Sequence, residues 1–242
     1  MTAAFLRANR RTWASLRKHR NYRIFFCGQV VSVTGTWMQN IAAAWLVLQL
    51  THSPVAVGVL MLCQFLPATV LGLFGGVLVD RLDVRRTVVA TQAASMTFAA
   101  ALAGLTLGGE VTAWHVYLLA GLRGVSLVLD HPARQALTFQ LVGRRELPNA
   151  VALNSSLFNG ARVVGPALGG AVIAASGPGL CFLLNAVSFL AVLASLRSIR
   201  PAELFPLDRG KERRPSWAGC ARRLASSTPS RSPRSCSPSS SW

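Results

Sequence analysis

Acidic residues are scarce in this sequence: 8 Asp and Glu stand against 25 Lys and Arg in 242 residues, a formal net charge of +17. No two carboxylates pair in a local motif, so general acid–base chemistry of the glycosidase or protease kind has no candidates. Histidines number 4, with no H-E-x-x-H, and His115 and His131 are single residues near helix ends, read as structural. No Ser/His/Asp or Cys/His set has motif context, and no glycine loop suits a phosphate. An enzyme is therefore not expected. The five cysteines, Cys27, Cys63, Cys181, Cys220 and Cys236, show neither C-x-x-C nor metal-ligand spacing, which removes a zinc or redox centre. Three of them fall in apolar runs, where cysteine acts as a small apolar residue.

Charge of either sign is missing from long stretches, and these stretches are apolar. Hydrophobic residues make up 52% and charged residues 14% of the chain, with a mean hydropathy of +0.42. Uncharged runs extend over 24–50, 54–79 and 87–109. Each is long enough to cross the roughly 30 Å hydrocarbon core as a helix, which takes about 20 residues. The chain is read as an all-α integral membrane protein. A pI near 11.6 would ordinarily suggest nucleic acid, but the placement of the charge argues otherwise. Of the 25 basic residues, only Arg123 and Arg162 lie inside apolar runs. The rest flank them, as the positive-inside rule requires, so no nucleic-acid partner is expected.

The expected spans are about 24–50, 55–79, 87–108, 112–130, 149–174 and 180–196, within a six-helix domain over 23–200. A basic arm, 1–22, precedes them; a linker, 201–217, and a tail, 218–242, follow. The first uncharged run is too long for a secretory h-region and is read as an uncleaved span. The turns at Thr51–Pro54, Gly108–Glu110 and Ser176–Gly179 carry no Lys or Arg, whereas every intervening connection is basic. Both termini are thus expected in the cytoplasm. The connection 130–146 is partly amphipathic and expected to lie on the membrane surface, and Pro148 suits the first turn of the next helix. The tail holds nine Ser, three Pro and four Arg and should be disordered. It reads either as a flexible basic tail or as a change of reading frame.

Several residues suggest function. Gln29, Ser32, Thr36, Gln39, Asn40 and Ala43 share an arc of about 100° on the first helix. A polar stripe of this kind faces a protein interior or a watery cavity; interhelical hydrogen bonding without transport is the plainer alternative. Asn154, Phe158, Arg162, Gly165 and Gly169 share a face of the fifth span, with Arg162 near mid-membrane, either functional or bonded structurally. Gly76, Asp80, Arg81, Asp83, Arg85 and Arg86 lie at the tight turn between spans two and three. They suggest a charge-paired cytoplasmic latch, with Asp130 reaching Arg85 or Arg86, or simply a solvated loop that sets topology.

This turn resembles the major facilitator superfamily signature between helices 2 and 3, G-x-x-x-D-R/K-x-G-x-R/K-R/K. Gly76, Asp80, Arg81, Arg85 and Arg86 match it, and Asp83 stands where the family has glycine. Gly165-Pro166-x-x-Gly169-Gly170 resembles the helix-5 motif of drug/proton antiporters. The helix-4 motif fits poorly, since Arg123 is followed four residues later by Leu127. Gly35-Thr-Trp37-Met-Gln39-Asn40, Pro132-Ala-Arg134-Gln135-Ala136 and Leu147-Pro-Asn149-Ala-Val-Ala-Leu-Asn154 are similar to the enterobactin-exporter and macrolide-efflux branch. The resemblance covers roughly residues 15–217, about one six-helix half of a twelve-helix fold built of inverted repeats.

It implies export of a small molecule, driven by the proton gradient and needing no cofactor. It places Gln29, Thr36, Gln39, Asn40, Asn154 and Arg162 in the substrate cavity. It places Gly76, Asp80, Arg81, Arg85, Arg86 and Asp130 at the gate, and Gly165, Pro166, Gly169 and Gly170 in helix packing. The implied partners are the substrate, the bilayer, and a second half-transporter or another copy of the chain. The competing expectation is a truncated, non-transporting fragment or an interaction subunit.

Overall fold

The computed structural model describes residues 19–200 and 204–205; for residues 73–81 it describes the backbone only. The chain divides into two units, Met1–Leu207 and Asp208–Trp242. The second unit, with the tail, most of the linker and nearly all of the basic arm, lies outside the described residues.

Five helices account for the described chain: α1 Arg20–Thr51, α2 Pro54–Arg81, α3 Val84–Leu107, α4 Ala113–Ser176 and α5 Pro178–Arg197. Their ends follow local chemistry. His52 takes a left-handed conformation (φ 52°) and its N–H closes α1 on the Leu48 carbonyl, before Pro54 opens α2. Asp83 caps α3 by accepting from the Arg86 backbone N–H at 2.9 Å. The residue that departs from the family glycine is thus a helix N-cap, for which aspartate is well suited. Thr112 precedes α4 and its N–H donates to His115 Nδ1 at 3.2 Å. Gly177 (φ 80°) and Pro178 at the first helical position start α5.

Four of these helices, α2, α3, α4 and α5, are long and apolar enough to cross a membrane. In α1 the buried Gln29, Ser32 and Gln39 and the part-buried Asn40 interrupt the apolar sequence. α4 is 64 residues long, which at 1.5 Å per residue is about 96 Å, far beyond one bilayer. It breaks at Gly143, whose φ of 70° and ψ of 175° are not helical. This conformation is nearly glycine-only, and it divides α4 into two arms, 113–142 and 144–176.

Two expectations are corrected here. The 130–146 connection is not a separate surface helix: the first arm simply continues through it to Val142. Its Ala133, Leu137 and Leu141 are buried in a core with Tyr22, Phe25 and Val88, and that burial keeps the segment helical. Pro148 does not open the next helix either, because the second arm restarts directly after Gly143, ahead of the proline.

The packing has a regular plan. α1 packs on α4 and α5, α2 on α4, and α3 on α4 and α5. Tight glycines show the registers. A Cβ at Gly124 would collide with the Gln64 carbonyl, joining the first arm to α2. A Cβ at Gly165 would come within 2.5 Å of Trp37 Cβ, and one at Gly169 within 2.6 Å of Ile41 Cγ2, joining the second arm to α1. A Cβ at Gly28 would lie 3.0 Å from the Ala191 carbonyl, joining α1 to α5. Small residues allow this approach in a bilayer, where apolar burial alone gives helices little reason to associate. Large apolar side chains face outward, including Val163 at 73%, Trp114 at 70% and Leu62 at 62% exposure. Lipid solvates such a surface.

Candidate functional site

Several polar side chains inside this bundle hydrogen-bond across helices, as a low-dielectric interior favours. One cluster centres on Arg123 in the first arm of α4. It is buried at 7% exposure, and its Nη1 donates to Asn40 Oδ1 of α1 at 3.1 Å. Gln64 Nε2 of α2 donates to the same oxygen at 3.4 Å. Three helices thus meet at one amide oxygen.

A second cluster lies about two turns further along the same arm. Asp130 is 5% exposed. Its Oδ1 accepts from Thr91 Oγ1 at 2.7 Å and from Gln92 Nε2 at 2.8 Å, both on α3. Its Oδ2 lies 2.7 Å from Arg134 Nε, one helical turn on. Arg134 Nη1 in turn donates to Gln29 Oε1 of α1. Oδ1 therefore accepts two hydrogen bonds from α3, Oδ2 is ion-paired with Arg134, and Arg134 bridges the carboxylate to α1.

Between the two arms of α4 lies a groove of about 540 Å³. Arg134 and His131 contribute from the first arm, Asn154, Phe158 and Asn159 from the second, and Phe139 lies near the bend. This size lies within the 300–1,000 Å³ range of small-molecule sites.

The predicted cavity residues separate into three groups. Gln29 and Asn40 join the two clusters, and Asn154 lines the groove. Gln39 instead accepts from Asn185 Nδ2 of α5 at 2.5 Å, beside Gly35, where a Cβ would meet Ser188 Oγ at 2.6 Å; it ties α1 to α5. It also touches a void of only about 20 Å³ next to Asn40 and Arg123. Thr36 is half-buried and belongs to neither cluster. Arg162 is exposed, with its guanidinium carbon 5.0 Å from the centre of the Trp37 ring, a cation–π contact to α1.

The gate residues do not assemble as expected among the described groups. The side chains of Gly76, Asp80 and Arg81 lie outside the described residues. Asp130 does not reach Arg85 or Arg86, because Thr91, Gln92 and Arg134 already hold its carboxylate. Arg85 Nη2 donates to the Leu196 carbonyl at 2.6 Å, closing the C-terminal turn of α5, where a cation is favoured. Arg86 is exposed. In the helix-5 motif, Gly165 and Gly169 face α1 and Pro166 sits within the helix. Gly170 is exposed, with nothing within 4 Å of a Cβ placed there; it packs against no described residue.

Arg134, Thr91, Gln92, Gln64 and Asn185 were not among the expected site residues. Their signals were present. Arg134 follows Asp130 by four positions, the spacing at which helical side chains meet. Thr91 and Gln92 are hydrogen-bonding groups inside an otherwise apolar span.

Apolar outer faces, spanning-length helices and buried polar clusters define a multi-pass helical membrane protein. Over residues 10–206 the chain matches the family model described as transmembrane secretion effector, and it belongs to this family of major facilitator efflux transporters, which are not enzymes. It is 30% identical to the staphyloferrin A transporter of Staphylococcus aureus over 72% of this chain and 44% of that protein. It is 28% identical to macrolide efflux protein A of Streptococcus pyogenes, over 63% of this chain and 39% of that protein. It is 27% identical to the enterobactin exporter of Citrobacter koseri, over 79% and 47% respectively. The chain thus spans less than half the length of these relatives. No solved structure matches it.

Proposed function

We propose that this chain takes part in exporting a small molecule across the cell membrane by alternating access, paired with a second six-helix unit. The observation that carries the proposal is the pair of buried clusters, Arg123–Asn40–Gln64 and Asp130–Arg134–Gln29–Thr91–Gln92. Ionisable residues at membrane depth are costly and mark transport pathways. Membership of an efflux family supports export as the direction, and the relatives named for siderophores and macrolides suggest candidate substrate types. The proton gradient is the proposed energy source. Asp130, the one carboxylate buried among the described residues, is the proposed proton-linked group. Basic inner connections and outer turns without Lys or Arg support cytoplasmic termini.

The test is efflux of a macrolide from cells expressing the chain, alone and with a candidate second half, before and after collapse of the proton gradient. Expression-dependent efflux that stops on collapse supports the proposal. Efflux equal to that of empty cells under every pairing overturns it. A second reading takes the buried polar contacts as interhelical hydrogen bonds without a transport role: a membrane interaction subunit that does not itself transport. A stably inserted chain that co-purifies with a partner, or with itself, without efflux would favour that reading.

A further inference from the structure

The groove between the arms of α4 has a one-sided chemistry. Its charged contribution is Arg134, with His131 beside it on the same arm, and no carboxylate contributes to its lining. Asp130 stands behind Arg134, its Oδ1 accepting from Thr91 and Gln92 and its Oδ2 ion-paired with Arg134 itself. Of the five guanidinium N–H donors, the Asp130 and Gln29 contacts use two, so the groove side of Arg134 keeps donors for a further acceptor. Phe139 and Phe158 supply flat apolar area, and Asn154 and Asn159 supply amides that pair with a neutral polar ligand.

We infer that this groove binds aromatic amphiphiles carrying an anionic head, with the head on Arg134 and the ring between Phe139 and Phe158, and that it discriminates against cations. The inference rests on the transport reading and names the charge class of its substrate. The physical basis is asymmetric. An anion gains charge-assisted hydrogen bonds from a guanidinium already aimed by Asp130 and Gln29. An ammonium must lose water beside that guanidinium with no carboxylate free to receive it. Arg134 is the ligand-contacting residue, and Asp130 is a positioning residue that acts through it.

The test uses two probes of one shape and opposite charge, 2-naphthoate and 2-naphthylmethylammonium. Binding to the full chain in phosphatidylcholine nanodiscs is measured by equilibrium dialysis at neutral pH, with empty nanodiscs subtracted. The expected result is a preference for naphthoate of roughly tenfold, one charge-assisted contact. Removing both charges with Asp130→Asn/Arg134→Gln should abolish the preference without stranding a lone buried charge. Ser155→Glu, at an exposed position of the groove wall outside the Asp130 cluster, should reduce or reverse it. Equal binding of the two probes, tighter binding of the ammonium, or a preference that survives loss of Arg134 overturns the charge class while leaving the groove as a binding site. Binding of neither probe overturns the groove as a site at all. The transport reading stands or falls separately, on the efflux measurement.

Discussion

Arg123 on α4 donates through Nη1 to Asn40 on α1 at 3.1 Å, so a buried α4 guanidinium is held by a part-buried α1 amide. Asn40→Leu would leave Arg123 buried and short of its acceptor. The expected cost is about 2 kcal/mol, in the range for hydrogen bonds to charged groups. Arg123→Met combined with Asn40→Leu should cost less than the single change, since no charge is then stranded. Thermal unfolding in mild detergent for the two single variants and the pair completes the cycle, and additive losses would refute the contact.

Asp130 holds donors from two helices, and losing its charge should be felt at Arg134. Asp130→Asn is expected to destabilise the chain by about 3 kcal/mol, the lower end for breaking a buried pair. Asp130→Asn with Arg134→Gln should recover part of that loss. If the double variant is as unstable as the sum of the singles, the two residues are not coupled.

The helix-5 motif divides into packed and open glycines. Gly165→Ala would place a methyl 2.5 Å from Trp37 Cβ and 2.9 Å from the Thr34 carbonyl. The expected cost is about 1–3 kcal/mol, as for overpacking. Gly170→Ala meets nothing and should be neutral or raise Tm slightly, because alanine favours helix by up to about 1 kcal/mol. Equal Tm shifts for the two variants would show that α1 and the second arm do not approach as described.

Gly143 allows α4 to fold back, and Phe205 covers it. The Phe205 N–H donates to the Gln140 carbonyl at 2.8 Å, and its ring lies 3.2 Å from where a Gly143 Cβ would stand. Gly143→Ala therefore meets both a backbone conformation of about 1–3 kcal/mol strain and the ring. Phe205→Ala in that background should relieve the contact but not the strain. Protease cleavage near residue 143 should rise in Gly143→Ala and stay raised in the double variant; complete recovery would show that the ring alone was responsible.

Orientation can be read by labelling single cysteines introduced into a background lacking the native ones. Ser176→Cys, at the α4–α5 turn, should react with an impermeant maleimide added outside intact cells. Arg145→Cys should react only after the cells are opened. The reverse pattern would invert the proposed topology.

That the chain is helical and apolar enough to span a membrane was legible in the sequence because it depends on local quantities, the length of an uncharged run against the thickness of a bilayer. The helix ends at Asp83, Thr112 and Pro178 were fixed by capping chemistry within a few residues. The polar stripe on α1 was also visible, since periodicity places Gln29, Gln39 and Asn40 on one side of a helix. Which partner each residue meets was not visible. Gln29 goes to Arg134 and Asn40 to Arg123, two or more turns apart on the first arm of α4, whereas Gln39 goes to Asn185 on α5, although all three lie within twelve residues on one helix.

That choice depends on helix crossings set by small residues, Gly28, Gly124, Gly165 and Gly169, whose close approaches to other helices no local pattern encodes. The same holds for Asp130. The sequence marked it as a rare acid among apolar spans, and only the packing of α3 and α1 around it decided that its charge is answered by Thr91, Gln92 and Arg134 rather than by the basic turn before α3. Composition and periodicity determined that this chain lies in a membrane as helices. Tertiary structure decided which buried charges are paired and where a groove opens, because both follow from contacts between segments far apart in the chain.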